Sequence, residues 1–158
     1  MREYEYSFKV NDIEPYIDFC KKYGYKKISE NEQIRDWYKN DSKINARVTI
    51  NKINGFEEIF VDFKEEDNSD RILKNTKESL PLLIGNDNLK SLNSILEILN
   101  YKKTVHLVRT RIIYQKDFVK FEIDKYTKPE KMNVIAIEGK KEKVDEIYQF
   151  INEKIIGK

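Results

Sequence analysis

One cysteine, one histidine, one tryptophan and three prolines are all that this 158-residue sequence holds of those types. The lone Cys20 excludes an intramolecular disulfide and a zinc cage made of cysteines alone within one chain. With no Cys–His pair in evidence, Cys20 reads as a small packed hydrophobe rather than a nucleophile. No P-loop, no glycine-rich dinucleotide fingerprint and no histidine-rich metal motif occurs, which removes the commonest nucleotide-binding classes. There is no apolar N-terminal h-region and no run of about 18 apolar residues, so a cytoplasmic protein without a membrane partner is expected. An excess of one charge is missing too. Thirty basic residues against 28 acidic leave +2, so no overall field points to nucleic acid as a partner. Without a Gly/Ser-rich linker, residues 1–158 read as a single domain.

What the sequence does have is charge at 37% and aromatics at 12%, arranged in strand-like alternation. In the opening segment, Glu3, Glu5, Ser7 and Lys9 fall on one face and Tyr4, Tyr6 and Phe8 on the other. The aromatic face needs a hydrophobic partner, so the carboxylates look into water or a polar cavity. Taken alone this is either an amphipathic edge strand or a pair of hard oxygen ligands suited to Mg²⁺ or Mn²⁺. Ile13 to Tyr23 reads as a helix, with Asp12 as N-cap and Gly24 as stop. Tyr25–Tyr38 reads as extended, with Trp37 and Tyr38 packing. Ile44–Ile53 and Phe56–Lys64 form a hairpin around Asn54-Gly55. A strand over Glu78–Ile84 carries Pro81, which argues for an edge or irregular position. Asn88–Leu99 is a leucine-striped helix. A second hairpin, Tyr101–Tyr114 with Phe118–Lys125, precedes a strand over Met132–Glu138 and a closing helix over Val144–Ile156. This pattern predicts an α+β fold, an eight-stranded antiparallel β-barrel (a tunnel) with flanking helices.

The same two-residue period sorts the later charges. Arg47 shares a face with Thr49, Asp62 with Lys64, Arg109 with Arg111, Glu122 with Asp124, and Ala136 with Glu138. His106 is out of phase with Arg109 and falls on the opposite face. If the polar faces converge, the barrel holds fixed cations beside carboxylates. Cations bind phosphate oxygens with charge-assisted bonds, and carboxylates hold a divalent ion bridging those oxygens. The alternative is that Arg109 and Arg111 simply pair with Glu122 and Asp124 across their hairpin.

The ordered series resembles the CYTH superfamily, the triphosphate tunnel metalloenzymes. Glu3-Tyr4-Glu5-Tyr6-Ser7 resembles its E-x-E-x-K strand with Ser for Lys, and Lys9 lies on the same face. Arg47-Val48-Thr49 resembles R-x-R with Thr for the second Arg. Lys64, Glu78, Arg109-Thr110-Arg111-Ile112-Ile113-Tyr114 and Asp124 follow in order. Ala136-Ile137-Glu138-Gly139 resembles E-x-E-G with the first Glu lost. The resemblance implies Mg²⁺ or Mn²⁺ held by Glu3, Glu5, Asp124, Glu138 and Glu78, with Glu3 and Glu5 catalytic. It implies a triphosphate-containing small molecule bound by Lys9, Arg47, Lys64, Arg109 and Arg111. The implied reaction is metal-dependent hydrolysis of inorganic, nucleoside or thiamine triphosphate; the alternatives are a class IV-like adenylyl cyclase and a non-catalytic polyphosphate or nucleotide binder. A homodimer stays open. The three departures remove two cations and one anion.

Overall fold

The computed structural model describes residues 2–67 and 71–156, the side chains of Arg2, Glu3 and Ile156 excepted. Nine strands form one antiparallel sheet: β1 Arg2–Val10, β2 Lys26–Lys39, β3 Ile44–Ile53, β4 Phe56–Glu65, β5 Leu73–Lys77, β6 Leu82–Ile84, β7 Lys102–Lys116, β8 Val119–Lys128 and β9 Met132–Gly139. Three helices pack on it, α1 Glu14–Lys22, α2 Leu89–Ile98 and α3 Lys141–Ile151, giving an α+β fold. The strand order is β5-β1-β9-β8-β7-β2-β3-β4-β6.

The expected eight strands become nine because an unexpected strand over 73–77 precedes the expected one over 78–84, which itself shortens to three residues. β5 lies before it and pairs with β1, whereas β6 is three residues long and pairs with β4. Between them Glu78 bridges Lys64 of β4, and the Ser79 N–H donates to the Phe63 carbonyl at 2.9 Å. One continuous segment therefore leaves β1 and arrives at β4. Pro81, which has no N–H to give, sits at the break. The sheet is curled into a tunnel but does not close as one unbroken ladder.

Period-two alternation decides which face is which. On β1, Tyr6 stacks on Tyr148 of α3 with ring centroids 4.0 Å apart, and Phe8 tilts onto Tyr16 of α1. The Tyr4 and Tyr6 hydroxyls both donate to Asp145, at 2.6 and 2.7 Å. The outer faces of β7, β8 and β9 complete this core with Ile112, Tyr114, Phe121, Ile123, Ile135 and Ile137. Burying a side chain such as Phe121 contributes about 1.5–3 kcal/mol. A smaller core sets Leu92 and Leu96 of α2 on Ala46, Val48, Ile59 and Val61. With both apolar faces turned outward onto helices, the polar faces are left lining the tunnel.

One local expectation is corrected, the start of the first helix, and two hold, the packing of Cys20 and the Asn54-Gly55 turn. α1 starts at Glu14, and Asp12 accepts the Glu14 N–H at 3.0 Å from one residue before the helix boundary. Cys20 is fully buried, which pushes its thiol pKa up to about 12 and suits a packing role. The Asn54-Gly55 turn holds both residues at positive φ, 48° and 83°, as a two-residue hairpin requires.

Gly139, at φ 144°, ends β9 where a Cβ would stand 1.9 Å from the Phe118 carbonyl oxygen. The clash is with backbone, so Gly139→Ala is expected to destabilise the fold by about 2–4 kcal/mol. Urea unfolding measures this; an unchanged midpoint would remove the steric argument.

Candidate functional site

Two arcs of the tunnel wall carry opposite charge. β1, β9 and β8 form the acidic arc. Cross-strand register sets Lys74, Glu5, Glu138 and Lys120 side by side on β5, β1, β9 and β8. The adjacent row sets Ser7, Ala136 and Glu122 side by side. Carboxylate oxygens of Glu5, Glu122 and Glu138 lie within 4.8 Å of one another. This all-oxygen trio fits a hard divalent cation such as Mg²⁺ or Mn²⁺. Lys120 attends it, with Nζ 2.6 Å from Glu138 and 3.7 Å from Glu122. Burial alone would lower the Lys120 pKa, yet Glu122 and Glu138 raise it.

The basic arc is built on β7, β2 and β3. Arg111 donates to both Asp124 oxygens at 2.8 and 2.9 Å and to Glu122 at 2.9 Å. Burial works against its charge, but these two carboxylates raise its pKa well above the ordinary value. Arg109 is 3% exposed and donates to Gln33 through Nε at 2.7 Å and to the Tyr126 hydroxyl at 2.6 Å; its nearest acid is Asp124, 3.7 Å away. Burial and the Arg111 charge lower its pKa. Arg47 donates to Asp62 at 2.9 Å and to Glu78 at 2.6 Å, which outweigh burial and raise its pKa. Asp124, pushed up by burial, is held below the usual carboxylate range chiefly by Arg111.

Arg35 stands apart. It faces Thr49 across the β2–β3 pairing and donates to that hydroxyl at 2.9 Å. Among the described residues no carboxylate lies within ion-pair distance of it. Burial, then the charges of Arg47, Arg109 and Arg111, push its pKa well down. A half-buried guanidinium with a hydroxyl as hydrogen-bond partner, and with three arginine charges outweighing that of Asp62, could accept an anion, and a phosphate oxygen matches its fork of donors.

The structure brings Glu5, Glu138, Arg47, Arg109 and Arg111 together on the tunnel face, with Lys64 half-buried in the same wall. It separates other expected members. Asp124 and Glu78, read as metal ligands, serve as partners of Arg111 and Arg47. Lys9 is exposed and lines a separate outer groove with Tyr16 and Met132. Glu3 lies in β1 opposite Thr76, and its carboxylate lies outside the described side chains. His106 donates to Asp36 at 2.6 Å, off the tunnel face as its phase requires. Trp37, expected to pack, instead lines the tunnel with the Arg47 guanidinium 5.3 Å from its ring. Sequence reading missed Arg35 altogether and did not assign Glu122 to the metal set. The phase of Glu122 with Asp124 was the available signal.

No family model and no curated protein matches the sequence. Solved structures do match in fold. The PH1012 protein of Pyrococcus horikoshii is 21% identical, with a TM-score of 0.72 over 96% of this chain and 88% of that one. A chain of the Schizosaccharomyces pombe Mediator head module is 10% identical, with a TM-score of 0.66 over 99% and 96%. A candidate adenylate cyclase of Bacillus halodurans is 13% identical, with a TM-score of 0.60 over 95% and 87%. At these identities the likeness is one of fold. Among the described residues, no helix is long and apolar enough to cross a membrane.

Proposed function

We propose that this chain is a CYTH-type tunnel protein that binds a triphosphate together with a divalent cation and catalyses attack on one of its phosphorus centres. The observation that carries the proposal is Arg35, a guanidinium held among three other arginines with a hydroxyl as its hydrogen-bond partner. Such a group costs the empty fold stability and is neutralised by a bound polyanion. Arg47, Arg109 and Arg111 border the same space and hold its phosphate oxygens in place. Glu5, Glu122 and Glu138 would hold Mg²⁺ or Mn²⁺, which supplies charge neutralisation at the phosphoryl oxygens and lowers the pKa of bound water. The arginines contribute fixed positive charge where negative charge grows in the transition state.

The departures from the family pattern are compensated. The cation lacking at Thr49 is supplied by Arg35 from the facing strand position. Ser7 and Ala136, where a cation and an anion are expected, are directly opposite each other, so their loss is charge-neutral.

Hydrolysis, with water as nucleophile, is the leading reaction. Cyclisation of ATP through its ribose 3′-hydroxyl is the second reading, favoured by the fold shared with the candidate adenylate cyclase. Incubating the protein with inorganic triphosphate, ATP or thiamine triphosphate, with Mg²⁺ or Mn²⁺, separates them. Phosphate release is expected for hydrolysis and cyclic AMP for cyclisation. If no metal–substrate pair gives either product and calorimetry detects no triphosphate binding, the proposal is wrong.

A further inference from the structure

Where the ends of β1 and β9 meet α1 and α3 runs an open groove of about 1080 Å³. Its floor is apolar, made by Phe8 and Val10 of β1, Tyr16 of α1, Tyr148 of α3 and Ile155 in the turn after α3. The Phe8 ring centroid is 5.9 Å from that of Tyr16 and 5.8 Å from that of Tyr148, so three rings form one surface. The rim is different, for Lys9, Lys125 and Lys131 all line it. Strand register gathers them: Lys9 lies opposite Val134, Lys125 opposite Asn133, and Lys131 immediately precedes β9. All three are exposed, and none has an ion-pair partner among the described residues. The other polar groups of the lining are engaged. Asp12 accepts the Glu14 N–H at 3.0 Å, Asn133 donates to the Asn11 carbonyl at 3.1 Å, and Thr127 donates to the Val108 carbonyl at 3.3 Å. Tyr16 lines the groove though only 4% exposed, and its hydroxyl has no hydrogen-bond partner among the described residues. A polar group so deeply placed is ordinarily bonded, which marks a position for a ligand oxygen.

We infer that this groove binds an amphipathic anion, a hydrocarbon chain ending in a carboxylate or phosphate, taken up as a free monomer. The chain lies along Phe8, Tyr16 and Tyr148, where covering apolar surface is favourable. The head meets the three lysines, which carry three positive charges against the single acid Asp12 and bind either head through charge-assisted bonds. Lysine suits this rim because its flexible stem covers apolar surface while the ammonium reaches outward. The volume is at the upper end of the roughly 300–1,000 Å³ range of ligand pockets, room for a chain rather than a bare ion. A nucleic acid fits less well. It would leave the ring floor uncovered, and a net charge of +2 supplies no field to draw it.

Calorimetry with decanoate and decyl phosphate, each below its micelle concentration, tests this. The tighter of the two is expected to bind at one site about 10-fold more tightly than 1-decanol and about 100-fold more tightly than acetate or inorganic phosphate. Which head binds better names the source. Replacing both rim lysines, Lys125→Met with Lys131→Met, is expected to bring that ligand to within about threefold of 1-decanol. Tyr16→Phe is expected to weaken it by about threefold. The wild-type ligand series stands alone if a variant fails to fold. Added inorganic triphosphate should leave the affinity unchanged; displacement would put the anion among the tunnel arginines and overturn the groove. Equal affinity for 1-decanol, binding to phosphatidylglycerol vesicles without binding of either monomer, or no binding at all also overturns it. None of these outcomes touches the triphosphate reading.

Discussion

Arg35→Gln is expected to weaken triphosphate binding by about 100-fold, near 2.7 kcal/mol, and at the same time to raise the melting temperature. The two effects have one cause. In the ligand-free fold Arg35 has the Thr49 hydroxyl as partner and the charges of Arg47, Arg109 and Arg111 around it. A half-buried cation whose nearby charges are three arginines against Asp62 destabilises the protein that holds it, and a neutral amide keeps the hydrogen bond to Thr49 without the repulsion. The gain is about 1–2 kcal/mol, typical of substitutions that relieve strain at a functional site. With triphosphate bound the sign reverses, because the ligand supplies the negative charge. Ligand-dependent thermal shifts should therefore be larger for wild type than for the variant. The double variant Arg35→Thr/Thr49→Arg moves the guanidinium to the facing strand and should recover much of the affinity. A destabilised Arg35→Gln protein with normal triphosphate affinity would make Arg35 a structural residue and take away the main support for the function.

Arg35 also shows where legibility ends. On β1, β8 and β9 one face is aromatic or aliphatic and the other polar, so alternation alone assigned Glu5, Glu122 and Glu138 to the tunnel side. On β3 and β7 the arginines fell out the same way. β2 gives no such contrast: Gln33, Arg35 and Trp37 alternate with Ile34, Asp36 and Tyr38, and both faces mix polar with apolar residues. Its pairing with β7 also shifts register twice, which breaks any long period. A tryptophan ordinarily reads as core, whereas Trp37 lines the tunnel. The metal set posed a different difficulty. Which acid meets an arginine and which meets another acid depends on cross-strand register. Asp124 lies opposite Arg111 and takes two of its donors, whereas Glu122 lies opposite Ile113 and Ala136, takes one donor from Arg111 and also meets Glu5 and Glu138. That information is non-local. β5, Leu73–Lys77, shows no hydrophobic contrast in its five residues to mark it as a strand, and the segment that closes β1 to β4 is hidden with it.

The second large effect is expected at the acidic arc, where two substitutions on β8 should move metal affinity in opposite directions. Glu122→Gln removes one of three converging carboxylates and should weaken Mn²⁺ binding at least 30-fold, with loss of most metal-dependent turnover. The fold should survive, because the amide oxygen still accepts from Arg111 and Asp124 retains its bidentate contact. Lys120→Met should instead tighten Mn²⁺ about 10-fold, near 1.4 kcal/mol. The Lys120 ammonium is one of the trio's counter-ions, 2.6 Å from Glu138, and an incoming cation must share or displace it. Without that lysine the carboxylates repel one another more strongly, with Arg111 still paired to Glu122, so the metal-free variant should melt below wild type and recover more on adding Mn²⁺. Manganese electron paramagnetic resonance and melting curves with and without metal read these changes independently of turnover. Equal Mn²⁺ affinity in wild type and both variants would mean that Glu5, Glu122 and Glu138 are a charge-paired patch of tunnel wall with Lys120, and the divalent ion would have to be placed elsewhere or removed from the mechanism.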